Sequence, residues 1–421
     1  MNLQRPSTIF YGWLVVAAAF VITFVGFGSA YTFSAFLDSL QHEFAASRGS
    51  VSAVFSLAGF MYFALGIVSA PLADRLGVKA LSAIGMTLVG LGLILAGQAQ
   101  TILQVYAAYC IGIGVGVGCA YVPTLGAVQR WFVERRGLAS GLAVSGIGVG
   151  TLVMPPFALW LIADLGWRNA YTTLGILAIV VGLAAAFVME DEPGCRGLQP
   201  DGIARTMVVG SLQAGNDTPV GQAIRTRRFA GLYLASFLSA LGVFVPFVHL
   251  APYAVDHGVP ASAAVWLLGA IGIGSTIGRF FLGGIADRMG RESFLIAMYI
   301  GMAASLPTWI LGGSLSQLIL FALIFGLFYG GWVAILPAVV ADLFGARHAG
   351  RIIGVLYSSV ALGTLVGPGA AGFIYDRSHS YVIPIAVSAA ANAGAAAVMF
   401  LAARRPSAGR VSRWSQSIPP D

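Results

Sequence analysis

The stretch Ala70-Pro-Leu-Ala-Asp74-Arg75-Leu-Gly77-Val-Lys79 has a second copy later in the chain, Gly283-Gly-Ile-Ala-Asp287-Arg288-Met-Gly290-Arg291. The aspartates of the two copies are 213 residues apart, and a second pair of stretches has the same offset. Two unrelated stretches that agree on one offset indicate an internal duplication. The second pair comprises Gly150-Thr-Leu-Val153 with Pro155 and Gly363-Thr-Leu-Val366 with Pro368.

The composition excludes a soluble protein. Of the 421 residues, 58% are hydrophobic and 9% are charged, and the mean hydropathy is +0.86. A soluble domain has about 25% charged residues, so this chain has too few to cover a globule of its size. We therefore exclude a soluble enzyme, a nucleic-acid binder and a disordered chain. We expect an all-α membrane protein surrounded by the lipid bilayer.

Twelve apolar windows, each about 20 residues long as a membrane span requires, follow one another along the chain. The polar pieces between them are short, except for the 39 residues from Glu190 to Arg228. We expect an N-terminal six-helix bundle at 1–189, a cytoplasmic linker at 190–228, a C-terminal six-helix bundle at 229–403 and a cytoplasmic tail at 404–421. The windows are 10–36, 51–73, 80–97, 103–128, 138–162, 171–189, 229–251, 263–286, 293–311, 317–340, 352–374 and 381–402.

The basic residues predict the orientation. With the N-terminus inside, 19 of the 23 Lys and Arg residues fall on the inner side and three on the outer side. Basic loops mark the cytoplasmic side of a membrane protein, so we expect both termini in the cytoplasm of a bacterial-type inner (plasma) membrane. Six spans separate the duplicated stretches, so the two bundles are parallel repeats about an axis along the membrane normal.

The remaining basic residue, Arg279, lies inside the eighth window. An Arg at the centre of a span costs roughly 2.5–3.5 kcal/mol on insertion scales, and no window offers an acid at similar depth. One interpretation is that Arg279 reaches the headgroups or bonds to backbone carbonyls. The other is that it faces a central cavity and the substrate is its counter-ion. A guanidinium binds a carboxylate through two parallel hydrogen bonds, and one Arg suits one carboxylate.

Aromatic residues at similar depth are candidates for the rest of a substrate site. They are Tyr121, Tyr329, Tyr31 and Trp332, and for each of them ordinary helix packing is the alternative. A buried tyrosine hydroxyl needs a partner, and a carboxylate oxygen is suitable. His249, near the outer end of the seventh window, is a candidate proton-linked group, unless its ring is satisfied by local hydrogen bonds.

The duplicated loops are candidates for a cytoplasmic latch that opens when the bundles rock. Gly77 and Gly290 are expected at positive φ, and each acid is expected to pair with an Arg or a helix N-terminus. The alternative is a turn that only sets the topology. The latch residues are Asp74, Arg75, Asp287, Arg288 and Arg291.

The duplicated loop resembles the signature of the major facilitator superfamily, which implies its twelve-span fold. Tyr11-Gly12-Trp13 and the run Arg135-Arg-Gly-Leu-Ala-Ser-Gly-Leu-Ala-Val-Ser-Gly146 are similar to the monocarboxylate transporters and the related oxalate–formate exchanger. This resemblance implies that Arg279 corresponds to the substrate-anchoring arginine of span eight. It also implies that Tyr121 and Tyr329 line the site, as aromatics of spans four and ten do in the exchanger.

Three positions depart from these families. Ser275 stands where animal monocarboxylate carriers have a proton-carrying Asp, and Ala35 stands where they have a Lys. The run Val360-Ala361-Leu362 stands where the oxalate exchanger has a second basic residue. One cation argues against a dicarboxylate, and without the Asp any coupled proton must enter with the substrate or through His249.

The sequence therefore predicts a secondary active transporter of a small monocarboxylate such as lactate, pyruvate or formate. It would work by rocker-switch alternating access, as a proton symporter or an anion exchanger. The alternative is an exporter or exchanger of another organic anion, either oxalate or a larger amphiphilic acid. We expect no cofactor, no metal, no nucleic-acid partner and no enzymatic activity, and we expect the chain to function as a monomer.

Overall fold

The structure is a computed structural model, and it describes residues 10–132, 135–202, 218–345 and 348–403. The described residues form helices and short connections, with no strand among them. We number the membrane helices α1 to α12 in chain order. They are α1 Tyr11–Phe44, α2 Arg48–Ala64 with Gly66–Leu76, α3 Val78–Gly97, α4 Ile102–Trp131, α5 and α6 the two parts of Arg136–Val188, α7 Arg227–Asp256, α8 Ala261–Phe281, α9 Arg291–Ile310, α10 Leu315–Phe344, α11 Ala349–Ser378 and α12 Val382–Ala403.

Three observations on the described residues together give twelve spans. Ten helices are long and apolar enough to cross a membrane, and the two parts of α2, bent by 49°, make an eleventh. The segment Gly137–Val188 has 52 residues, which as one helix would be about 80 Å long, far beyond the roughly 30 Å of a hydrocarbon core. It is broken at Gly166, whose φ of 77° is not helical. The break divides it into α5 and α6, in agreement with the predicted windows.

The duplicated loops have the predicted turn geometry. Gly77 ends α2 at a φ of 81°, and Gly290 ends the short helix after α8, Gly283–Met289, at a φ of 83°. A positive φ is accessible to glycine without the steric cost that a Cβ brings. In each repeat the chain reverses at this glycine and enters the next helix at once, so the two loops are equivalent in backbone as well as in sequence.

The helices pack as two groups that meet along two seams. In the first group α1 and α3 pack against the α5–α6 segment, and in the second α8 packs on α10 while α7 and α9 pack on α12. The seams between the groups are α2 with α11 and α5 with α8. At the second seam a Cβ on Gly272 would lie 2.5 Å from the carbonyl oxygen of Gly148, so this backbone approach requires glycine.

The two ends of the molecule differ, and we name them by their residues. The basic end is where the duplicated loops, Arg130 and Arg351 lie. The opposite end is where Arg48 begins α2 and Asp256 ends α7. A cavity reaches the basic end, whereas at the opposite end the two groups of helices are in direct contact.

Candidate functional site

A cavity of about 590 Å³ lies between the two groups of helices. Its inner part is lined by Tyr121 on α4 and Arg279 on α8, and its outer part by Gln129, Gly137 and Arg291 near the basic end. A second space of only about 20 Å³ lies next to it, since Tyr121 lines both. A ligand in the larger cavity would therefore contact Arg279, and the small space lies beyond the shared residue Tyr121.

Arg279 is buried, with 5% of its surface exposed. In the described part of the chain its guanidinium has no hydrogen-bond partner at any of its three nitrogens and belongs to no ion pair. Its Cζ lies 5.8 Å from the ring centroid of Tyr329. This geometry disagrees with the first interpretation of Arg279 given above. Its side chain neither reaches the headgroups nor bonds to backbone carbonyls of the described residues. Within the described ranges Arg279 is thus a buried cation without an ion pair or a well-formed hydrogen bond, and Tyr329 interacts with it.

The backbone around Arg279 explains its direction. Gly278 packs α8 against Leu327 of α10, so this face of α8 is closed to a side chain. Across the seam, a Cβ on Gly148 of α5 would lie 3.1 Å from Nη1 of Arg279. The guanidinium therefore occupies the space that the missing side chain of Gly148 leaves, and it lies against both groups of helices.

Four tyrosines lie close enough to Arg279 to interact with it electrostatically. The hydroxyl of Tyr31 on α1 is 3.3 Å from that of Tyr329 on α10. The fourth, Tyr357 on α11, is not among the sequence candidates, and it interacts with Tyr121 and lines the small space. Tyr31 is not among the residues that line either cavity, so it reaches the site through Tyr329.

The small space has an aromatic and aliphatic wall. Trp332 belongs to this wall, but its indole Nε1 donates to the hydroxyl of Tyr299 at 3.1 Å and is not available to a ligand in this arrangement. The space can accept little more than a methyl group or a water. It is lined by Phe27, Phe63, Tyr121, Ile147, Phe244, Tyr329, Trp332, Val333, Leu336, Tyr357 and Val360.

Ser275 lies one turn before Arg279 and is buried, and its hydroxyl has no partner among the described residues. This position, named above as a departure from the families that the sequence resembles, therefore holds a neutral group. A second cation, Arg291, lines the outer part of the cavity, and its Nη1 donates to Oδ1 of Asp342 at 2.6 Å. Its charge is therefore compensated, in contrast with that of Arg279.

His249 is completely buried away from both cavities. Its Nδ1 lies 3.0 Å from the hydroxyl of Tyr381, and its Nε2 lies 2.9 Å from the carbonyl oxygen of Pro368. Both ring nitrogens therefore have hydrogen-bond partners, which agrees with the alternative that local hydrogen bonds satisfy this histidine.

The predicted latch residues are only partly joined. Asp74 on α2 approaches Arg351 on α11, with 3.9 Å between Oδ2 and Nη2, and both side chains are largely exposed. Arg288 is exposed in the second loop, and Arg75 is exposed in the first. The side chain of Asp287 lies outside the described residues, so its predicted pairing stays a prediction.

Comparisons with known proteins agree with this architecture. The family model described as Major Facilitator Superfamily matches residues 19–311 and 232–419. Monocarboxylate transporter 3 of Rattus norvegicus is 30% identical over 89% of this chain and 76% of its own length. Monocarboxylate transporter 12-B of Danio rerio is 26% identical over 93% of this chain and 86% of its own length.

One solved structure shows the same fold. It is a bacterial homolog of the human lysosomal transporter Spinster, in an inward-facing and unoccupied conformation. Its TM-score is 0.67 at 17% identity, and the match covers 94% of this chain and 98% of that one.

The duplicated helices around one cavity, together with these matches, define the class as a membrane transporter and not an enzyme. The chain belongs to the major facilitator superfamily. Within it, the chain is related to the monocarboxylate transporters.

Proposed function

We propose that this protein is a secondary active transporter of a small monocarboxylate. The observation that carries the proposal is Arg279, a buried guanidinium that lines the inner part of the cavity and has no partner among the residues that the structure describes. A buried charge without a partner is costly, and a carboxylate that enters the cavity would remove this cost with two hydrogen bonds. The names of the related monocarboxylate transporters support the same class of substrate.

The other site residues have distinct roles in this proposal. Tyr121 and Tyr329 offer hydroxyls to the carboxylate or to a polar group next to it, and Tyr31 positions Tyr329 through its hydroxyl contact. Trp332 closes the small apolar space that receives the short organic part of the substrate. Arg291 is neutralised by Asp342, so the cavity has one uncompensated cation among the described residues, which suits one carboxylate.

We assign the membrane orientation from the basic residues. The basic end faces the cytoplasm of a bacterial-type inner (plasma) membrane, and both termini lie on that side. The domain limits are 1–189 and 229–403, joined by the cytoplasmic linker at 190–228, and the monomer is the working unit. In this orientation the cavity opens toward the cytoplasm.

Transport proceeds by alternating access between the two bundles. The cytoplasmic latch of Asp74, Arg75, Asp287, Arg288 and Arg291 changes its contacts as the bundles rock. Because Ser275 is not ionisable, we propose that charge balance comes from a proton that enters with the substrate or from exchange for another anion. Measuring uptake with a proton gradient and with an internal anion separates symport from exchange.

The size of the cavity favours one alternative, an exporter or exchanger of a larger amphiphilic acid. The volume of about 590 Å³ is in the range of roughly 300–1,000 Å³ that is typical of sites for drug-sized ligands. Direct uptake of a labelled small acid and of a labelled large amphiphilic acid distinguishes the two functions. A small-acid carrier takes up lactate, and acetate, pyruvate and formate compete with it, whereas the alternative takes up only the large acid, and small acids do not compete with that uptake.

The test is uptake of labelled lactate, pyruvate and formate into proteoliposomes. Arg279→Ala and Arg279→Lys are expected to abolish uptake, since neither retains a planar fork for a carboxylate. The matched control is Arg377→Lys, a conservative change at an exposed arginine of the opposite end, and it is expected to leave uptake unchanged. Uptake at the wild-type rate by both Arg279 variants would refute the proposal.

A further inference from the structure

The two bundles are joined at the opposite end by the side chain of Arg48. This residue begins α2 in the first bundle, and its guanidinium binds Asp256 of α7 in the second through Nη1–Oδ2 at 2.6 Å and Nη2–Oδ1 at 3.3 Å. Its Cζ lies 4.3 Å from the ring centroid of Tyr375 on α11. Only 15% of the Arg48 side chain and 28% of the Asp256 side chain are exposed. Two parallel charge-assisted bonds in a partly buried site are strong for an ion pair.

The N-terminus of α2 is bound by the second bundle as well. The carboxylate of Asp376 on α11 accepts hydrogen bonds from the backbone N–H groups of Arg48 at 3.0 Å and Gly49 at 2.8 Å. These N–H groups have no partner within their own helix, and a carboxylate at a helix N-terminus is favoured by the helix dipole. Separating the bundles at this end would leave both N–H groups and the carboxylate to be solvated by water.

The hydroxyl of Tyr381 connects this contact to the buried His249. It accepts from Nη1 of Arg48 at 3.1 Å and lies 3.0 Å from Nδ1 of His249. Nε2 of His249 faces the carbonyl oxygen of Pro368, which can only accept, so Nε2 carries the proton. Nδ1 is then an acceptor, and the hydroxyl of Tyr381 donates to it. The closed arrangement is thus specific for a neutral histidine.

We propose that Arg48, Asp256, Tyr375, Asp376, Tyr381 and His249 form an outer latch that closes the opposite end, and that protonation of His249 opens it. The proposal rests on the alternating access of the proposed function, and it does not depend on the identity of the substrate.

The charges that face His249 give the direction of the effect. An imidazolium would donate from both ring nitrogens, so the Tyr381 hydroxyl would lose its acceptor and its oxygen would be shared by two cations. Arg48 repels an imidazolium at this position and Asp376 attracts it, while the carboxylate of Asp256 is engaged by Arg48. Complete burial adds the cost of desolvating the charge. Opening of the latch admits water and relieves both costs, so acid on this side favours the outward-open state.

The test is a distance measurement between the bundles without any substrate. Spin labels at His42→Cys on α1 and Arg377→Cys on α11, both exposed in this structure, report separation at the opposite end. The native cysteines Cys110, Cys119 and Cys195 are replaced by serine or alanine. Between about pH 8 and about pH 5, the range in which a histidine that opening exposes to water titrates, we expect the ratio of long to short distances to rise about five-fold or more, as is typical of coupled sites.

Two variants and one control separate the outer latch from general effects of acid. His249→Gln cannot take up a proton and is expected to show no rise, while Tyr381→Phe is expected to populate the long distance already at about pH 8 because the bridge is lost. The control His257→Gln, at an exposed histidine whose Nδ1 contacts the carbonyl of Tyr253, is expected to respond like the wild type. A pH response that survives in His249→Gln, or its absence from the wild type, overturns the proposal.

The outcome is distinguishable from a failure of the proposed function. Arg279→Ala is expected to lose uptake and to keep the pH response of the distances. If it keeps uptake at the wild-type rate, the proposed function fails and the outer latch stands. If the distances never respond to pH while Arg279→Ala loses uptake, the outer latch fails and the proposed function stands.

Discussion

The hydroxyl of Tyr31 on α1 lies 3.3 Å from the hydroxyl of Tyr329 on α10, so this hydrogen bond joins the two bundles beside Arg279. Tyr31 also stacks on Phe247 of α7, with ring centroids 4.7 Å apart. The residue is therefore held by the second bundle although it belongs to the first. A ligand bound at Arg279 would lie next to this bond, so the bond is placed to respond to the ligand and to bundle motion together.

The first prediction concerns that bond. Tyr31→Phe and Tyr329→Phe each remove it, and a hydrogen bond of this kind contributes about 1 kcal/mol, or about five-fold in an equilibrium. We expect Tyr31→Phe to change the maximal uptake rate by about that factor with little change in KM, because Tyr31 lines neither cavity. Tyr329→Phe should raise KM as well. In the double variant the effects on rate should not add, and full additivity would show that the bond does not couple the bundles.

The second prediction concerns Gly148. A Cβ at this position would lie 3.1 Å from Nη1 of Arg279 and would overlap the side chain of Thr276, so Gly148→Ala should displace the guanidinium and reduce uptake by about ten-fold or more, as a small misplacement does. The control is Gly141→Ala on the same helix, where a Cβ meets nothing within 4 Å. Equal uptake by the two variants would contradict the placement of Arg279 against α5.

The third prediction concerns Ser275, the neutral residue one helical turn before Arg279. Ser275→Asp places a carboxylate one turn before Arg279, at the i, i+4 spacing that allows an ion pair. Above the pKa of this new carboxyl, the aspartate should occupy Arg279 and suppress uptake, and protonation at lower pH should release Arg279 and restore uptake. Ser275→Asn, of the same shape but without a charge, should show no such pH dependence. The measurement is initial uptake as a function of pH, and identical profiles for the two variants would refute the idea.

The fourth prediction concerns substrate length. Val360 is buried and lines the small space of about 20 Å³, so Val360→Ala should enlarge it and favour a longer acid. One methylene in an apolar pocket changes discrimination by roughly 10- to 200-fold, and we expect the uptake ratio of butyrate to acetate to rise toward that range. Val339→Ala, equally buried but outside the lining, is the control. An unchanged ratio in Val360→Ala would place the organic part of the substrate elsewhere.

Most of the fold is predictable from the sequence because each span depends on local properties. A run of apolar residues of the right length crosses the bilayer whatever its neighbours are, and the glycines of the duplicated loops fix their own turns. The break between α5 and α6 at Gly166 falls in the polar piece between two predicted windows for the same reason. The number and the limits of the membrane helices can therefore be predicted from residues that lie close together in the chain.

The site is predictable only in part, because it depends on contacts across long separations. Arg279 is recognisable as a charge where none is expected, whereas Tyr357 looks like any aromatic residue of a span until α11 is placed beside α4. The role of Arg48 cannot be predicted from the local sequence either, because its partner Asp256 is 208 residues away. Trp332 is recognisable by its depth in the span, but no local pattern shows that its indole N–H binds Tyr299.

The duplication repeats the helices and their turns, but it does not repeat the buried Arg279. At the offset of 213 residues Arg279 corresponds to Gly66, and a Cβ on Gly66 would lie 3.3 Å from Cγ2 of Val122. The first carbon of a side chain is already in tight contact there, whereas Arg279 extends toward a cavity. Among the described residues, the charged groups that line the cavity all belong to the second bundle, and the first bundle contributes only uncharged residues to the lining. In the proposed function the second bundle would therefore bind the carboxylate, and the first bundle would form the uncharged wall of the site.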